Sequence, residues 1–226
     1  MTYKIIATGS GGNAVLLNGC ILIDCGVSMK KLEPFLRDLR LVLLTHIHGD
    51  HFKKATIRAI AKARPALRWG CCEWLAGPLM EAGVDPRMID VFRPIDGETE
   101  FLYPTIGIRV RPVELTHNVQ NCGYHIHTMD MSEKAFYATD TGSLDGIEAR
   151  GYRLYLVEAN HKEDEIQARI AAKQAAGESF IYEVAAAKNH MSYEKTTAWL
   201  QENMGPDSVW VQLHQHKEES HEKSDA

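Results

Sequence analysis

The stretch Leu41-Val42-Leu43-Leu44-Thr45-His46-Ile47-His48-Gly49-Asp50-His51 decides the reading of this chain. Four consecutive aliphatic residues predict a strand buried on both faces. The strand stops at three histidines and an aspartate within six positions. On an extended segment His46 and His48, two apart, project to the same side. Gly49 permits a tight turn, and Asp50 and His51 follow as the chain leaves the strand. His46 and His48 can then face one divalent ion, and Asp50 and His51 a second beside it. Imidazole and carboxylate donors suit zinc, with manganese or iron as alternatives. A surface loop that is His-rich by accident would not sit directly behind an aliphatic strand.

The 226 residues fit one domain or two tightly joined halves. A hydrophobic content of 45% with 24% charged residues is ordinary globular composition. No apolar run reaches the length of a membrane span. The start, Met1-Thr2-Tyr3-Lys4-Ile5-Ile6, reads as a strand and lacks the apolar core of a signal peptide, so a cytoplasmic location is expected. The five cysteines have no zinc-finger spacing and are expected as buried thiols. A net charge of −5 argues against a surface that coats nucleic acid broadly, while leaving a grip on a strand end open.

Working outward toward the N-terminus, residues 3–8 read as a strand followed by the turn Gly9-Ser10-Gly11-Gly12-Asn13-Ala14. Asn18-Gly19 between two apolar runs is a two-residue hairpin signal. The second run ends in Asp24-Cys25-Gly26. Ser28 can cap a helix running to about Arg40, and a basic helix is expected over Phe52 to Arg64. Lys53 and Lys54 in that helix, and Arg109 and Arg111 on a later strand, keep contacts with a phosphate-bearing substrate open. Toward the C-terminus, Glu73 to Ala82 reads as a helix interrupted by Gly77-Pro78. Ile106 to Val113 alternates as a strand and leads to His117. Gly123 to His127 reads as a half-exposed strand whose His125 and His127 are not ligands. Ala135 to Ala138 is a strand ending in Thr139-Asp140-Thr141-Gly142. Leu154 to Val157 ends in Glu158-Ala159-Asn160-His161. A helix follows from Glu163, while Gly177 to Lys188 has no clean period. Asn189-His190-Met191-Ser192 precedes a helix from Tyr193 to about Asn203, with Ser192 as its cap. The last strand, Ser208 to Leu213, ends in His214-Gln215-His216.

Thr45 to His51, the strand-end Asp24-Cys25-Gly26, His117, Thr139 to Gly142 and His214 together resemble the five motifs of the metallo-β-lactamase superfamily. The resemblance covers roughly residues 3–216 and implies an α/β fold, a four-layer αβ/βα sandwich with a one- or two-metal site at one edge. Residues 1–216 are then a single hydrolase domain, and 217–226 a charged, frayed tail. The resemblance implies that Asp24 holds the metal loop without binding metal. His117 would be the third ligand of the first ion, Asp140 would bridge both ions, and His214 would complete the second, with His216 as its competitor. Metal one would be held by His46, His48, His117 and Asp140, and metal two by Asp50, His51, His214 and Asp140. Two divalent ions, Zn2+ or alternatively Mn2+, are the implied cofactors.

The Gly/Ser-rich loop with Asn13, the Glu158 to His161 segment and His190-Met191-Ser192 resemble the small YycJ-type nucleases and their phosphodiesterase relatives. In that branch His190 would assist the scissile phosphate, and His161 would touch substrate or orient a ligand. Met191 and Gln215 depart from the residues usual there. The implied reaction is hydrolysis of phosphodiester bonds in nucleic-acid ends or nucleotides, cyclic nucleotides included. A hydroxide shared by the two ions would attack, Asp50 would take its proton, and His190 would act as cation or acid. Relatives of this kind suggest a homodimer. The alternative is a carboxyl-ester hydrolase of the lactonase or thioesterase kind, which would need a tyrosine or backbone oxyanion donor near the metals. The core motifs contain no such tyrosine.

Overall fold

A computed structural model describes residues 1–94 and 99–214. His216 and the tail 217–226 lie outside the described residues. The architecture follows from strands that alternate between two apolar surroundings. β1 (Tyr3–Ala7), β2 (Ala14–Leu17), β3 (Ile21–Ile23), β4 (Leu41–Leu44), β5 (Arg68–Cys72) and β6 (Ile89–Phe92) form one sheet in chain order. β7 (Phe101–Tyr103), β8 (Ile108–Leu115), β9 (Asn121–Thr128), β10 (Lys134–Ala138), β11 (Leu154–Glu158) and β12 (Val209–Leu213) form the other, also in chain order. Each sheet begins with antiparallel neighbours and continues with parallel ones.

Side chains at every second position point the same way, so each strand feeds two cores. Leu41 and Leu43 of β4 join Val15, Ile21, Tyr124, Tyr137 and Leu156 in the layer between the sheets. Val42 and Leu44 face the other way, against α1 (Met29–Leu32), α2 (Lys54–Ala63) and α3 (Glu73–Glu81). On the second sheet Phe136, Ala138, Tyr155 and Val157 pack against Trp199 and Leu200 of α6 (Tyr193–Asn203). This is the αβ/βα sandwich expected from the motifs. The Asn18-Gly19 turn is as read: Asn18 has φ 48° and Gly19 φ 67°, the positive pair that a tight hairpin requires.

Several local expectations are corrected. The helix expected from Ser28 to Arg40 stops at Leu32, and Glu33–Phe35 is a 3-10 turn. Pro34 has no N–H to give to the carbonyl of Lys30, so the α-helical ladder ends there. Ser28 makes no side-chain cap. The basic helix is shorter than expected, Lys54–Ala63 rather than Phe52 to Arg64, because Phe52 pairs with Cys25 and Lys53 is extended, with ψ 95°. α3 runs unbroken through Pro78, since Gly77 has no Cβ for the proline ring to strike. The segment read as aperiodic contains α5 (Tyr182–Asn189), which follows α4 (Glu163–Ala175). Only Ala186 of α5 is buried, so no apolar stripe marked it. Finally, His125 and His127 are buried rather than half-exposed. Tyr152 lies over that face of β9, its hydroxyl 2.9 Å from His125 Nδ1 and 2.6 Å from His127 Nε2.

Candidate metal centre

The site forms where the strands of both sheets end. β3, β4, β10 and β12 release Asp24, Thr45 to His51, Thr139 to Gly142 and His214 at one edge of the sandwich. Three of these residues have left-handed backbone: Asp24 (φ 63°), Asp140 (φ 55°) and His214 (φ 49°). A non-glycine residue there costs of order 1–3 kcal/mol, a strain that clusters at functional sites. Two glycines allow the loops to close. A Cβ on Gly26 would lie 1.6 Å from the Asp50 carbonyl oxygen, and one on Gly142 would lie 2.3 Å from that of Lys188.

Hydrogen bonds fix which ring nitrogens face the centre. Thr45 Oγ1 donates to the Asp24 carboxylate at 3.1 Å, so it accepts from His46 Nδ1 at 2.9 Å. His46 Nε2 is then a lone pair pointing inward. His117 Nδ1 donates to the Asn189 carbonyl at 3.2 Å, which leaves its Nε2 inward too. His51 Nδ1 donates to Asp24 Oδ2 at 2.7 Å. Asn13 is compatible with that tautomer. Gly9 N–H donates to its Oδ1 and its Nδ2 donates to Gly9 O, which sets the amide; Nδ2 then faces His51 Nε2 at 2.7 Å, and a lone pair there would accept from it.

The inward atoms form three groups of possible ligands: His46, His48 and His117; His46, His51 and Asp140; and Asp140, Glu158, His190 and His214. His46 Nε2 is 3.1 Å from His48 Nδ1, which is 3.3 Å from His117 Nε2. Nitrogens held tetrahedrally at about 2.05 Å from one zinc ion are about 3.3 Å apart, so the three imidazoles fit such an ion. Asp140 gives the second sign. Its Oδ2 is buried and no donor meets it at a hydrogen-bonding angle, although His51 Nε2 stands 2.5 Å away and His46 Nε2 3.8 Å away. Its Oδ1 is 2.8 Å from His214 Nδ1. A buried carboxylate with histidines on both oxygens is placed as a bridge would be.

Electrostatics keep two of the expected ligands, His46 and His117, neutral. Burial, with the charge on His51, pushes His46 down to about 2, and burial pushes His117 down to about 4. Burial opposes a charge on His51, but Asp140 and Asp24 outweigh it and raise the ring well above the usual histidine value. Burial likewise disfavours charge on Asp140, and His51 and His214 hold its carboxyl well below the usual range. A cation is thus demanded between His51 and Asp140, and a proton or a metal ion can meet that demand.

The remaining expected site residues divide. Asp50 stands at the margin, its Oδ2 3.6 Å from His51 Nε2 and its side chain 28% exposed, outside the three groups. His190 lies beside the centre, Nδ1 3.3 Å from Asp140 Oδ1 and 3.0 Å from Glu158 Oε2. Burial lowers its pKa, and Glu158, Asp140 and Asp50 more than reverse that, so it is raised. Glu158 is the residue that sequence reading left without a role. It is fully buried, and its Oε1 accepts Thr141 N–H at 2.6 Å and Met191 N–H at 3.3 Å. With both oxygens engaged it positions His190 and the Asp140 loop. Its signal was an acid ending an otherwise apolar strand. His161 lies apart: it borders a small cavity with Asn160 and Ile166, behind Tyr182 and Ala186. Burial and the charge of His190 lower its pKa. The centre opens to a cleft of about 180 Å³ lined by His48, Asp50, His117, Asp140, His190 and His214, with one wall from α5. Lys53, Lys54, Arg109 and Arg111 do not line it. Lys54 pairs with Glu81 and Arg109 with Glu100.

The fold and this edge of histidines and aspartate define a class, and the chain's own sequence matches it: residues 20–211 match the family model of the beta-lactamase superfamily domain. The chain belongs to that superfamily. Membership implies a metal-binding hydrolase, consistent with the His/Asp groups. Solved structures share the fold at low identity. Human tRNase Z, short form, is 15% identical with a TM-score of 0.72, covering 96% of this chain and 93% of its own. The metallo-β-lactamase fold protein YhfI from Bacillus subtilis is 16% identical with a TM-score of 0.70, covering 95% and 86%. Yeast PDE1 is 9% identical with a TM-score of 0.60, covering 96% and 89%. No curated protein sequence matched. Among the described residues no helix is long and apolar enough to cross a membrane.

Proposed function

We propose that the chain is a phosphodiesterase that uses two divalent ions, zinc in the first instance, on nucleic-acid ends or nucleotides in the cytoplasm. Residues 1–216 form the hydrolase domain in this reading. His46, His48, His117 and Asp140 hold one ion, and Asp50, His51, His214 and Asp140 the other. Bound there, the ions lower the pKa of water to about 7 and neutralise charge on a phosphoryl oxygen. Asp50, at the cleft margin, accepts the proton of the attacking water. His161, expected to touch substrate or orient a ligand, borders the small cavity that Tyr182 and Ala186 also line.

The observation that carries this reading is His190. Its Nδ1 lies 3.0 Å from Glu158 Oε2, which leaves Nε2 for the substrate, and the Glu158 carboxylate, not itself an expected ligand, favours the imidazolium. A cation fixed beside the bridging carboxylate suits the extra negative charge of a pentacoordinate phosphoryl transition state, and its proton suits a leaving alkoxide. Two of the fold's relatives, tRNase Z and PDE1, bear nuclease and phosphodiesterase names, which agrees with this reading.

The test compares bis-p-nitrophenyl phosphate, a p-nitrophenyl ester and a lactone, each with zinc or manganese. The expected result is turnover of the phosphodiester alone. His190→Ala should lower kcat by about 100- to 10,000-fold while both ions stay bound. Preference for the ester or lactone with a silent His190→Ala would reject the proposal. One observation favours that second reading. Tyr182 lines the outer end of the cleft, and so supplies a tyrosine that the motifs lacked.

A further inference from the structure

The wall of the cleft opposite the strand ends is one face of α5. Tyr182, Ala185, Ala186 and Asn189 line it, at spacings of three, four and seven residues, which is a single helical stripe. At the inner end Asn189 holds His117, and His190 follows directly. At the outer end stands Tyr182, with 47% of its surface exposed. Between them are only two alanine methyls, so no long side chain divides the slot. Seven residues at 1.5 Å rise place Tyr182 about 10 Å along the helix axis from Asn189. An aromatic ring therefore closes the slot one nucleoside away from the imidazole that would serve the phosphate.

We propose that Tyr182 stacks on the nucleobase of the substrate, so that the enzyme selects phosphodiesters bearing a nucleoside over those bearing only aliphatic groups. This rests on the phosphodiesterase reading and narrows it. Every nucleobase presents a π-face, so a single ring reads the class of substrate without reading the sequence. The two alanines leave room for the sugar against the helix. The tyrosine hydroxyl has no part in this role, in contrast to an oxyanion donor of an ester hydrolase, for which it would be essential.

Two substrates with one leaving group isolate the contact: thymidine 5′-(p-nitrophenyl phosphate) and methyl p-nitrophenyl phosphate. The metal-loaded wild type should prefer the nucleoside ester, mainly through KM. Tyr182→Ala should cut that preference by about 5- to 150-fold, the value of one base–aromatic stack. Tyr182→Phe should keep it. Tyr193→Ala, which removes an exposed aromatic residue outside the cleft, should also keep it. A preference unchanged in Tyr182→Ala overturns the proposal, and so does a Tyr182→Phe that loses as much as Tyr182→Ala. Should the wild type hydrolyse neither substrate, the phosphodiesterase reading fails on its own account. Equilibrium binding of thymidine 5′-monophosphate against methyl phosphate then decides the stack. Equal affinities for wild type and Tyr182→Ala reject it, and a selective loss of the nucleotide upholds it.

Discussion

Asp24→Asn tests how the centre is wired without changing the size of a side chain. Asp24 is fully buried. Its Oδ1 accepts from Thr45 N–H at 3.0 Å, and its Oδ2 from His51 Nδ1 at 2.7 Å. An asparagine must keep its oxygen toward Thr45 N–H, which turns its NH2 toward His51. His51 Nδ1 must then accept, so the ring proton moves to Nε2, the atom that faces Asp140. A protonated Nε2 cannot ligate. Losing an outer partner of this kind costs about 10- to 100-fold in metal affinity. The metal-free protein also exchanges a charge-assisted bond for a neutral one, a loss of about 1–2 kcal/mol. Backbone strain does not confuse the result, because asparagine tolerates the left-handed conformation at φ 63° about as well as aspartate. Competition with a chromophoric zinc chelator reads the affinity, and urea unfolding of the metal-free protein reads the stability. Metal affinity within threefold of wild type would refute the tautomer argument. Unchanged affinity with lowered stability would make Asp24 a structural carboxylate only.

Two further predictions concern the scaffold. Burial, then Arg111 and His127, push His125 down to about 3, while Tyr152 hydroxyl meets its Nδ1. The folded chain thus refuses a proton that the unfolded chain takes below about pH 6.5, so this contribution to stability is intact above that pH and is lost as pH falls. Between pH 7.5 and 5 the loss is about 2 kcal/mol for this one group. His125→Gln should show a correspondingly shallower acid limb in urea midpoints, and an acid limb equal to that of wild type would count against the buried neutral ring. Gly26→Ala places a methyl group onto the Asp50 carbonyl and should cost about 3 kcal/mol or more, a fall in Tm of about 6–12 °C, whereas Gly11→Ala meets open space and should leave Tm unchanged. A Gly26→Ala protein melting with wild type would show that the Asp24 and Asp50 loops are not pressed together.

The local pattern of residues determined a good deal on its own. An aliphatic run can be buried on both faces only inside a layered fold, and a histidine cluster directly behind it can only hang from the end of that layer. That logic placed β4 and its histidines, and the same pattern repeated at Asp24, Asp140 and His214. Short-range chemistry also fixed the Asn18-Gly19 turn, because a tight hairpin demands positive φ. Helix ends were less legible: Pro34 cut one helix short, and Gly77 let another run through Pro78. What the tertiary structure alone decided is what lies opposite what. Glu158 beneath His190, Tyr152 over His125 and His127, and α5 with Tyr182 along the cleft join residues far apart in the chain. No periodicity encodes such pairings, since they arise from packing helices and loops onto finished sheets. Asn13 against His51 is of the same kind: thirty-eight residues separate them, and only the closure of two strand-end loops at Gly26 brings the amide to the ring.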